Sequence, residues 1–306
     1  MILLWGLPGD TPIARVHDAV TRHGQVCFFL DEQDTLETTV TLSAADASAG
    51  ILHTRCAMLD LADITAVYQR PYGIDRIPKL IGQPRDGAAW RHAEATTNAL
   101  TCWLETTPAL VVNAPSAMAS NGSKPYQAQL IAAHGLRVPE TLVTTDAGAV
   151  RDFRDRHGDL IYKSVSGVRS IVSRLDDEKL GRLDLLRWCP TQFQEYVAGD
   201  DYRVHVVGEH VFACRISSQA DDYRYAARQG ADANIVACNV PAHLAETCRR
   251  LARTLDLAAA GIDLRLHPKR GWYCFEVNPS PAFTYFEDAT GQEIGEAIAR
   301  LLMEAR

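Results

Sequence analysis

Three oxygen-bearing side chains near the end of the sequence have the types and spacing of a metal site. Asp263 lies in the apolar segment GIDLRL, and Glu276 and Asn278 lie in FEVNPSP. Alternation along a strand places Glu276 and Asn278 on one face, and a hairpin between the two segments would bring Asp263 beside them. Such a patch of oxygen donors suits Mg²⁺ held against a polyphosphate. The alternative is the exposed polar face of a surface hairpin, which is less favourable because acids beside strongly apolar positions are costly to bury without a partner.

A lysine that ends another apolar segment can supply a phosphate contact. Lys163 closes DLIYK and precedes the loop SVSGVRS, which contains Ser166 and Gly167. The small residues of this loop would let it fold over phosphates that the ammonium group neutralises. Considered alone, a lysine before a Ser/Gly turn is more often a solvated strand end, so this interpretation depends on the rest of the pattern.

The segment QFQEYVAGDDYRV combines a predicted strand with an acidic turn. Backbone groups of Glu195, Tyr196 and Val197 at such a bend can read an adenine edge. A carboxylate just beyond the bend, such as Asp201, can accept a hydrogen bond from a ribose hydroxyl. A charged hairpin tip is the alternative, and it is favoured when this segment is considered without the others.

Arginines follow this segment at three positions, Arg203, Arg215 and Arg224. A guanidinium group suits bidentate capture of phosphate or carboxylate. Each arginine can instead pair with a nearby aspartate on the surface, an arrangement that contributes little stability.

The elements that must position these residues fall into two groups. The first group alternates strands and helices, which predicts an α/β unit with a mainly parallel sheet. Its strands are predicted at residues 2–5, 26–30, 38–42, 66–69 and 109–113, with helices at 11–23 and 87–106.

The second group contains more antiparallel strands. Residues 191–197, 202–207 and 210–217 are predicted to form an antiparallel meander, and 261–266 and 271–277 a hairpin. Further strands are predicted at 141–145, 159–164 and 170–175, with helices at 124–134, 242–255 and 291–304. Turn residues place unit boundaries near Asn113 and near Cys189-Pro190.

Composition narrows the class of protein. A chain of 306 residues with 47% hydrophobic and 23% charged residues is globular and long enough for two or three units. The net charge of -7 argues against nucleic acid as a partner.

The opening MILLWGLPGD has no basic leader and is too short for a membrane span, so a cytoplasmic protein is expected. The eight cysteines occur without a C-x-x-C pair, which argues against a zinc site.

In this order the motifs resemble the ATP-grasp superfamily, and within its RimK-like branch the microviridin-type (graspetide) ligases that modify ribosomally made peptides. The resemblance is carried by VYQRPY, VVNAPSA, SKPYQAQLIAAHGLRVPETLVTTD, YKSVSG, QEYVAGDDYRV, VFACRISSQADDYRYA, GIDLRL and FEVNPSPAFTYFEDATGQEI. It implies an α/β fold that is α+β in the C-terminal half. Residues 1–112 would form a pre-ATP-grasp domain, 113–190 a central subdomain and 191–306 a C-terminal subdomain, with nucleotide between the last two.

The same resemblance implies roles for individual residues. ATP and Mg²⁺, as two ions that Mn²⁺ can replace, are the implied cofactors. Asp263, Glu276 and Asn278 match the metal ligands. Arg203 and Arg215 match catalytic residues at the γ-phosphate and the acyl phosphate, and Arg224 and Ser280 match positions near the substrate. The implied nucleotide contacts are Lys124, Lys163, Ser166, Gly167, Glu195, Tyr196, Val197 and Asp201.

The resemblance implies an ADP-forming ligase that activates a carboxylate as an acyl phosphate, which an amine or hydroxyl then attacks. A precursor peptide is the implied carboxylate partner, and a homodimer is a further expectation. The sequence departs from the family in having one glycine in the loop after Lys163. The ending NPSP is similar to that of D-alanine–D-alanine ligases, so a ligase for small amino acids stays open. A nucleotide-binding regulatory protein or a kinase would also be compatible with these motifs.

Overall fold

The computed structural model of the chain describes residues 1–43, 45–46, 49–165, 172–218 and 233–305. The predicted site residues Ser166, Gly167 and Arg224 lie outside these ranges. Within them, no helix is both long enough and apolar enough to cross a lipid bilayer.

The first part of the chain folds into an α/β layer. Its elements are β1 Ile2–Gly6, α1 Thr11–Arg22, β2 Cys27–Asp31, β3 Thr39–Leu42, β4 Gly50–His53, β5 Met58–Asp60, β6 Ala66–Arg70, α2 Ala88–Thr106 and β7 Leu110–Val112. Four parallel strands form a sheet in the order β2-β1-β6-β7, and the other three pair antiparallel in the order β3-β4-β5. The predicted parallel sheet is therefore confirmed. Strands β4 and β5 were not predicted because they are too short to show a period.

Both faces of the parallel sheet are covered, which explains the apolar sequence of its central strand. All five residues of β1, ILLWG, are buried. Helix α1 packs on one face through Ile13 and Val16, and α2 packs on the other through Leu100 and Trp103. A strand that is buried on both faces needs apolar residues at every position.

The second part of the chain contains two further sheets. Its elements are α3 Pro115–Met118, α4 Lys124–Ala133, β8 Thr141–Thr144, α5 Ala147–His157, β9 Leu160–Ser164, β10 Ser173–Arg174, α6 Asp177–Leu180, β11 Thr191–Glu195, β12 Asp200–Val207, β13 His210–Ser218, β14 Ala233–Cys238, α7 Ala242–Thr254, β15 Ala259–His267, β16 Gly271–Asn278, α8 Thr284–Thr290 and α9 Ile294–Glu304. A central sheet has the order β10-β9-β11-β8, and a C-terminal sheet has the order β14-β13-β12-β15-β16.

The predicted meander of three strands is wrong at its first strand. Strand β11 pairs with β8 and β9 in the central sheet, whereas β12 pairs with β13 and β15. The chain changes sheets at Gly199, which has a φ of 137°. A Cβ atom there would lie 2.1 Å from the Leu266 carbonyl oxygen, so glycine is required at this crossing. We therefore propose that the central unit extends through β11 and ends after Glu195.

The C-terminal sheet has one apolar face and one polar face. Val204, Ile262 and Val277 point toward the apolar face, where they pack with Leu251 of α7 and Ile131 of α4. Neighbouring positions along the same strands alternate to the other face. That second face carries five of the residues that the sequence analysis assigns to chemistry, namely Asp201, Arg203, Asp263, Glu276 and Asn278.

Candidate active site

The C-terminal hairpin brings the predicted metal ligands together. In the antiparallel pair of β15 and β16, Asp263 lies opposite Glu276, and Gly261 lies opposite Asn278. On the other side of β15, Arg203 of β12 also lies opposite Asp263. The expected juxtaposition of Asp263, Glu276 and Asn278 is therefore present, although their role as ligands remains a prediction.

A β-bulge at Phe275 makes this arrangement compatible with the core. The register shifts between Asp263 and Leu264, so that Cys274 pairs with Leu264 and Phe275 is the extra residue. Without the bulge, Cys274 would share a face with Glu276. With it, the fully buried Cys274 joins the apolar core, and burial raises the pKa of its thiol well above the usual value. Cys274 is therefore a packing residue and not a nucleophile.

Each of the two carboxylates has a cationic partner. Arg203 Nη1 donates to Asp263 Oδ1 at 2.6 Å. Lys124 Nζ donates to Glu276 Oε1, and also to Asn121 Oδ1 at 3.1 Å. All four charged side chains are at least three-quarters buried. Pairing is therefore required, because an unpaired charge at this depth is costly.

The guanidinium of Arg203 is held in a fixed place. Its Nε atom lies 3.4 Å from His205 Nε2, and its carbon lies 5.6 Å from the centre of the Phe286 ring. Burial, helped by the charge of Arg203, lowers the pKa of His205 well below 6.5. His205 is therefore neutral and can accept the Arg203 hydrogen bond. A Cβ atom on Gly261 would lie 2.0 Å from Arg203 Nη2, so the guanidinium lies directly over this glycine.

Arg215 does not join this cluster, although the sequence analysis assigns it, with Arg203, to the catalytic residues. It lies opposite Tyr202, whose own neighbour on β15 is Leu264 of the apolar core. Arg215 thus points to the opposite face of the sheet from Arg203. Its side chain is 53% exposed and lies 3.9 Å from Asp200 Oδ2. The placement gives no support to a catalytic role for Arg215, which stays a prediction.

The central sheet presents polar residues from two adjacent strands on one face. Lys163 of β9 lies opposite Gln192 of β11, and Gln194 follows on the same face. Gln192 and Gln194 are buried, and in the described part of the chain their Oε1 atoms accept no hydrogen bond. Buried acceptors without a donor are costly. This face therefore fits a ligand that carries donors, such as the amino group of adenine, beside the Lys163 ammonium.

The segment predicted to hold adenine is tied to the C-terminal sheet by an arginine that the sequence analysis missed. Arg265 donates to both oxygens of Asp201, at 2.7 and 2.9 Å, and to the Val197 carbonyl at 2.8 Å. Glu195 accepts from Arg270 at 2.7 Å, and Tyr196 packs against Arg174. The alternation of side chains along the strand GIDLRL could have identified Arg265, because a residue two positions after Asp263 lies on the same face of the strand.

Ser280 lies where the C-terminal sheet meets the parallel sheet. Its hydroxyl accepts from Arg70 Nη1 at 2.9 Å, and its N–H donates to Asn278 Oδ1 at 2.9 Å. Arg70 also pairs with Asp10, whose second oxygen accepts from the Tyr72 hydroxyl at 3.0 Å. Arg70 ends β6 and Asp10 follows β1, so both mark the carboxyl edge of the parallel sheet, where α/β folds bind ligands.

The donors on the polar face fit Mg²⁺ better than a metal that needs many protein ligands. Among the described residues, no group of three or more His, Cys, Asp or Glu side chains converges. Two carboxylates and one amide oxygen are hard donors, and Mg²⁺ commonly combines one or two carboxylates with phosphate and water oxygens. Asp263, Glu276 and Asn278 are the residues that can hold it.

The comparisons with known proteins agree with this geometry. A family model described as a RimK-like ATP-grasp domain matches residues 122–302, which is more than half of the chain. The chain therefore belongs to the RimK-like ATP-grasp family and has the ATP-grasp fold.

Particular relatives give finer comparisons. The "Ribosomal protein bS6--L-glutamate ligase" of Escherichia fergusonii is 30% identical over 200 residues, which cover 62% of this chain and 66% of that protein, just under two thirds. Among solved structures, the chain is similar to the ATP-grasp ligase PsnB, which was solved in complex with a phosphomimetic variant of minimal precursor, Mg and ADP. The two chains are 28% identical with a TM-score of 0.81, and the match covers 99% of this chain and 97% of PsnB. The macrocyclase MdnC of Microcystis aeruginosa, bound with precursor peptide MdnA, is 22% identical with a TM-score of 0.80 and 99% coverage of both chains. This last likeness shows the fold alone.

Proposed function

We propose that this protein is a ligase that joins a carboxylate of a ribosomally made peptide to an amine or hydroxyl group, through an acyl phosphate and with release of ADP. The observation that carries the proposal is the paired cluster on the polar face. There, Asp263 with Arg203 and Glu276 with Lys124 place two acids and two cations side by side. The acids are suited to a divalent metal and the cations to phosphate oxygens.

The proposed reaction has two steps. A carboxylate oxygen bonds to the γ-phosphorus of ATP, and the bond from that phosphorus to the ADP oxygen breaks. The amine or hydroxyl then attacks the acyl carbon, phosphate leaves with one oxygen of the original carboxylate, and the nucleophile loses its proton to solvent. The protein's contribution is to position the groups and to neutralise charge, which are the main needs of phosphoryl transfer.

The proposal assigns these tasks to named residues. The planar guanidinium of Arg203 stabilises charge on the transferred phosphoryl group. Lys124 binds the phosphates from the side of the C-terminal sheet, and Lys163 binds them from the side of the central sheet. Asp263, Glu276 and Asn278 would hold Mg²⁺, which would supply further charge neutralisation at the phosphates. We propose two ions, which Mn²⁺ can replace.

The nucleotide is proposed to lie between the central and C-terminal sheets. Gln194 and the backbones of Glu195 and Val197 face adenine in this proposal, and Asp201, already oriented by Arg265, accepts from the ribose. Residues 1–112 are proposed as the pre-ATP-grasp domain, with Ser280 on the substrate side. A cytoplasmic location and a homodimer remain predictions.

Support for a peptide substrate comes from PsnB, which matches almost the whole chain and is described as complexed with a precursor. A second candidate has support of its own, because the curated relatives are named glutamate ligases. In that case the enzyme would add free glutamate to a protein or peptide. Both candidates use the same activated carboxylate chemistry, and they differ in the product.

Product mass is expected to separate the two candidates. The protein is incubated with ATP, MgCl₂ and a displayed library of peptides rich in Asp, Glu, Lys and Thr, with and without free L-glutamate. An internal crosslink removes the mass of one water, whereas ligation adds the mass of one glutamyl residue. We expect the loss of water, without any need for added glutamate.

Gains of glutamyl residues alone would favour the second candidate. Peptides that gain a phosphate mass and undergo no condensation would identify a kinase instead. ATP that is bound but never consumed with any peptide would overturn both ligase proposals and leave a binding protein.

A further inference from the structure

Strand β16 carries two of the proposed metal ligands and lies at the edge of its sheet. An edge strand leaves backbone N–H and C=O groups without a neighbouring strand. At Val277 the side chain of Gln127 takes that neighbour's place. Its Nε2 donates to the Val277 carbonyl at 2.8 Å, and its Oε1 accepts from the Val277 N–H at 3.0 Å. Gln127 is 1% exposed, so water does not compete for these bonds.

The position of this contact is informative, because Val277 lies between Glu276 and Asn278. Gln127 stands three residues after Lys124 on α4, and residues at this spacing lie on the same face of a helix. Lys124 contacts the Glu276 carboxylate. The first turn of α4 therefore supplies both a backbone clamp and a charge to the same short stretch of strand.

The side chain of Val277 already anchors the strand in the core, where it is fully buried. The two bonds from Gln127 add control of the peptide planes on either side of Val277. Those planes set the directions in which Glu276 and Asn278 leave the strand. The next residues are also held from outside the sheet, since Asn113 Nδ2 donates to the Pro279 carbonyl at 2.5 Å.

We propose that Gln127 is a positioning residue that fixes Glu276 and Asn278 in the geometry that binds Mg²⁺ with nucleotide. This inference rests on the proposed function. Groups that orient metal ligands typically change metal affinity by about 10- to 100-fold when they are removed. A residue that only closes a sheet edge would instead change stability without a specific effect on metal binding.

The test uses Gln127→Met, which keeps the length of the side chain and removes both hydrogen bonds. Gln127→Glu keeps an acceptor for the Val277 N–H and loses the donor. Gln129→Met is the matched control, because Gln129 lies on the same helix and is exposed. Mn²⁺ is titrated by electron paramagnetic resonance against each folded variant saturated with a non-hydrolysable ATP analogue, and thermal unfolding is measured in parallel.

We expect Gln127→Met to weaken Mn²⁺ binding at least about tenfold, Gln127→Glu to have an intermediate effect, and Gln129→Met to match the wild type. If Gln127→Met does not fold, Gln127→Glu carries the comparison. Wild-type Mn²⁺ affinity in a folded Gln127 variant, even one of lower stability, would overturn the positioning role alone. A wild-type protein that binds no Mn²⁺ with the analogue would overturn the metal site itself, and with it both proposals.

Discussion

Replacing Glu276 with glutamine is expected to lower the rate of ADP formation by at least about a hundredfold. Glu276 lies opposite Asp263 and beside Lys124, so its charge is part of a balanced set. Glutamine has nearly the same size as glutamate but carries no negative charge, so it cannot balance the positive charge of the Mg²⁺ ions and of Lys124 at the phosphates. The measurement is ADP release with the peptide substrates, together with the unfolding temperature of the variant.

A matched control separates this effect from a general loss of acidic charge. Glu209→Gln changes a carboxylate whose side chain is 74% exposed and pairs with Arg253 at the surface. It should leave turnover at the wild-type level. If Glu276→Gln also forms ADP at the wild-type rate, the proposed metal site is wrong.

Replacing Gly261 with alanine is expected to have an effect of similar size, although Gly261 has no functional group of its own. The added Cβ would lie 2.0 Å from Arg203 Nη2 and 2.8 Å from Pro281 Cβ. The guanidinium is the end of a flexible side chain and can move, so the protein should fold while Arg203 leaves Asp263. We expect ADP formation to fall by about a hundredfold. Gly9→Ala is the control, because its added Cβ would meet no atom within 4 Å beyond the residue itself and its two chain neighbours.

A double-mutant cycle tests whether Gly261 acts through Arg203. Arg203→Lys keeps the charge and loses the planar fork. If the alanine acts by displacing the guanidinium, Gly261→Ala should add little to the loss already caused by Arg203→Lys. Fully additive losses would show that the alanine disturbs some other part of the site.

The sequence predicted the parts of the site that depend on near neighbours in the chain. Asp263, Glu276 and Asn278 lie on two strands joined by a short turn, so alternation and hairpin pairing are sufficient to bring them together. The same rule, applied to β13, would have separated Arg215 from Arg203, because their registers place them on opposite faces. The sequence analysis grouped the arginines by residue type and did not count strand positions.

Other features depend on contacts that no local pattern encodes. The bond between Arg70 and Ser280 joins residues 210 positions apart, and that between Gln127 and Val277 joins residues 150 positions apart. Strand β11 was predicted as a strand, but its sequence TQFQE does not indicate which sheet it will join. The change of sheet depends on Gly199, whose requirement for glycine becomes visible only once Leu266 is in place.

The central claim is that a carboxylate attacks the γ-phosphorus of ATP. Labelling the substrate carboxylate with the heavy oxygen isotope ¹⁸O tests this claim most directly. Peptide substrates whose carboxylates carry heavy oxygen are incubated with the protein, ATP and MgCl₂, and the released phosphate and nucleotides are analysed by mass spectrometry. The acyl-phosphate route predicts ADP as the nucleotide product and one heavy oxygen in each released phosphate, because the carboxylate oxygen that bonds to phosphorus leaves with it. Heavy oxygen in AMP, or phosphate without any label, would contradict the account.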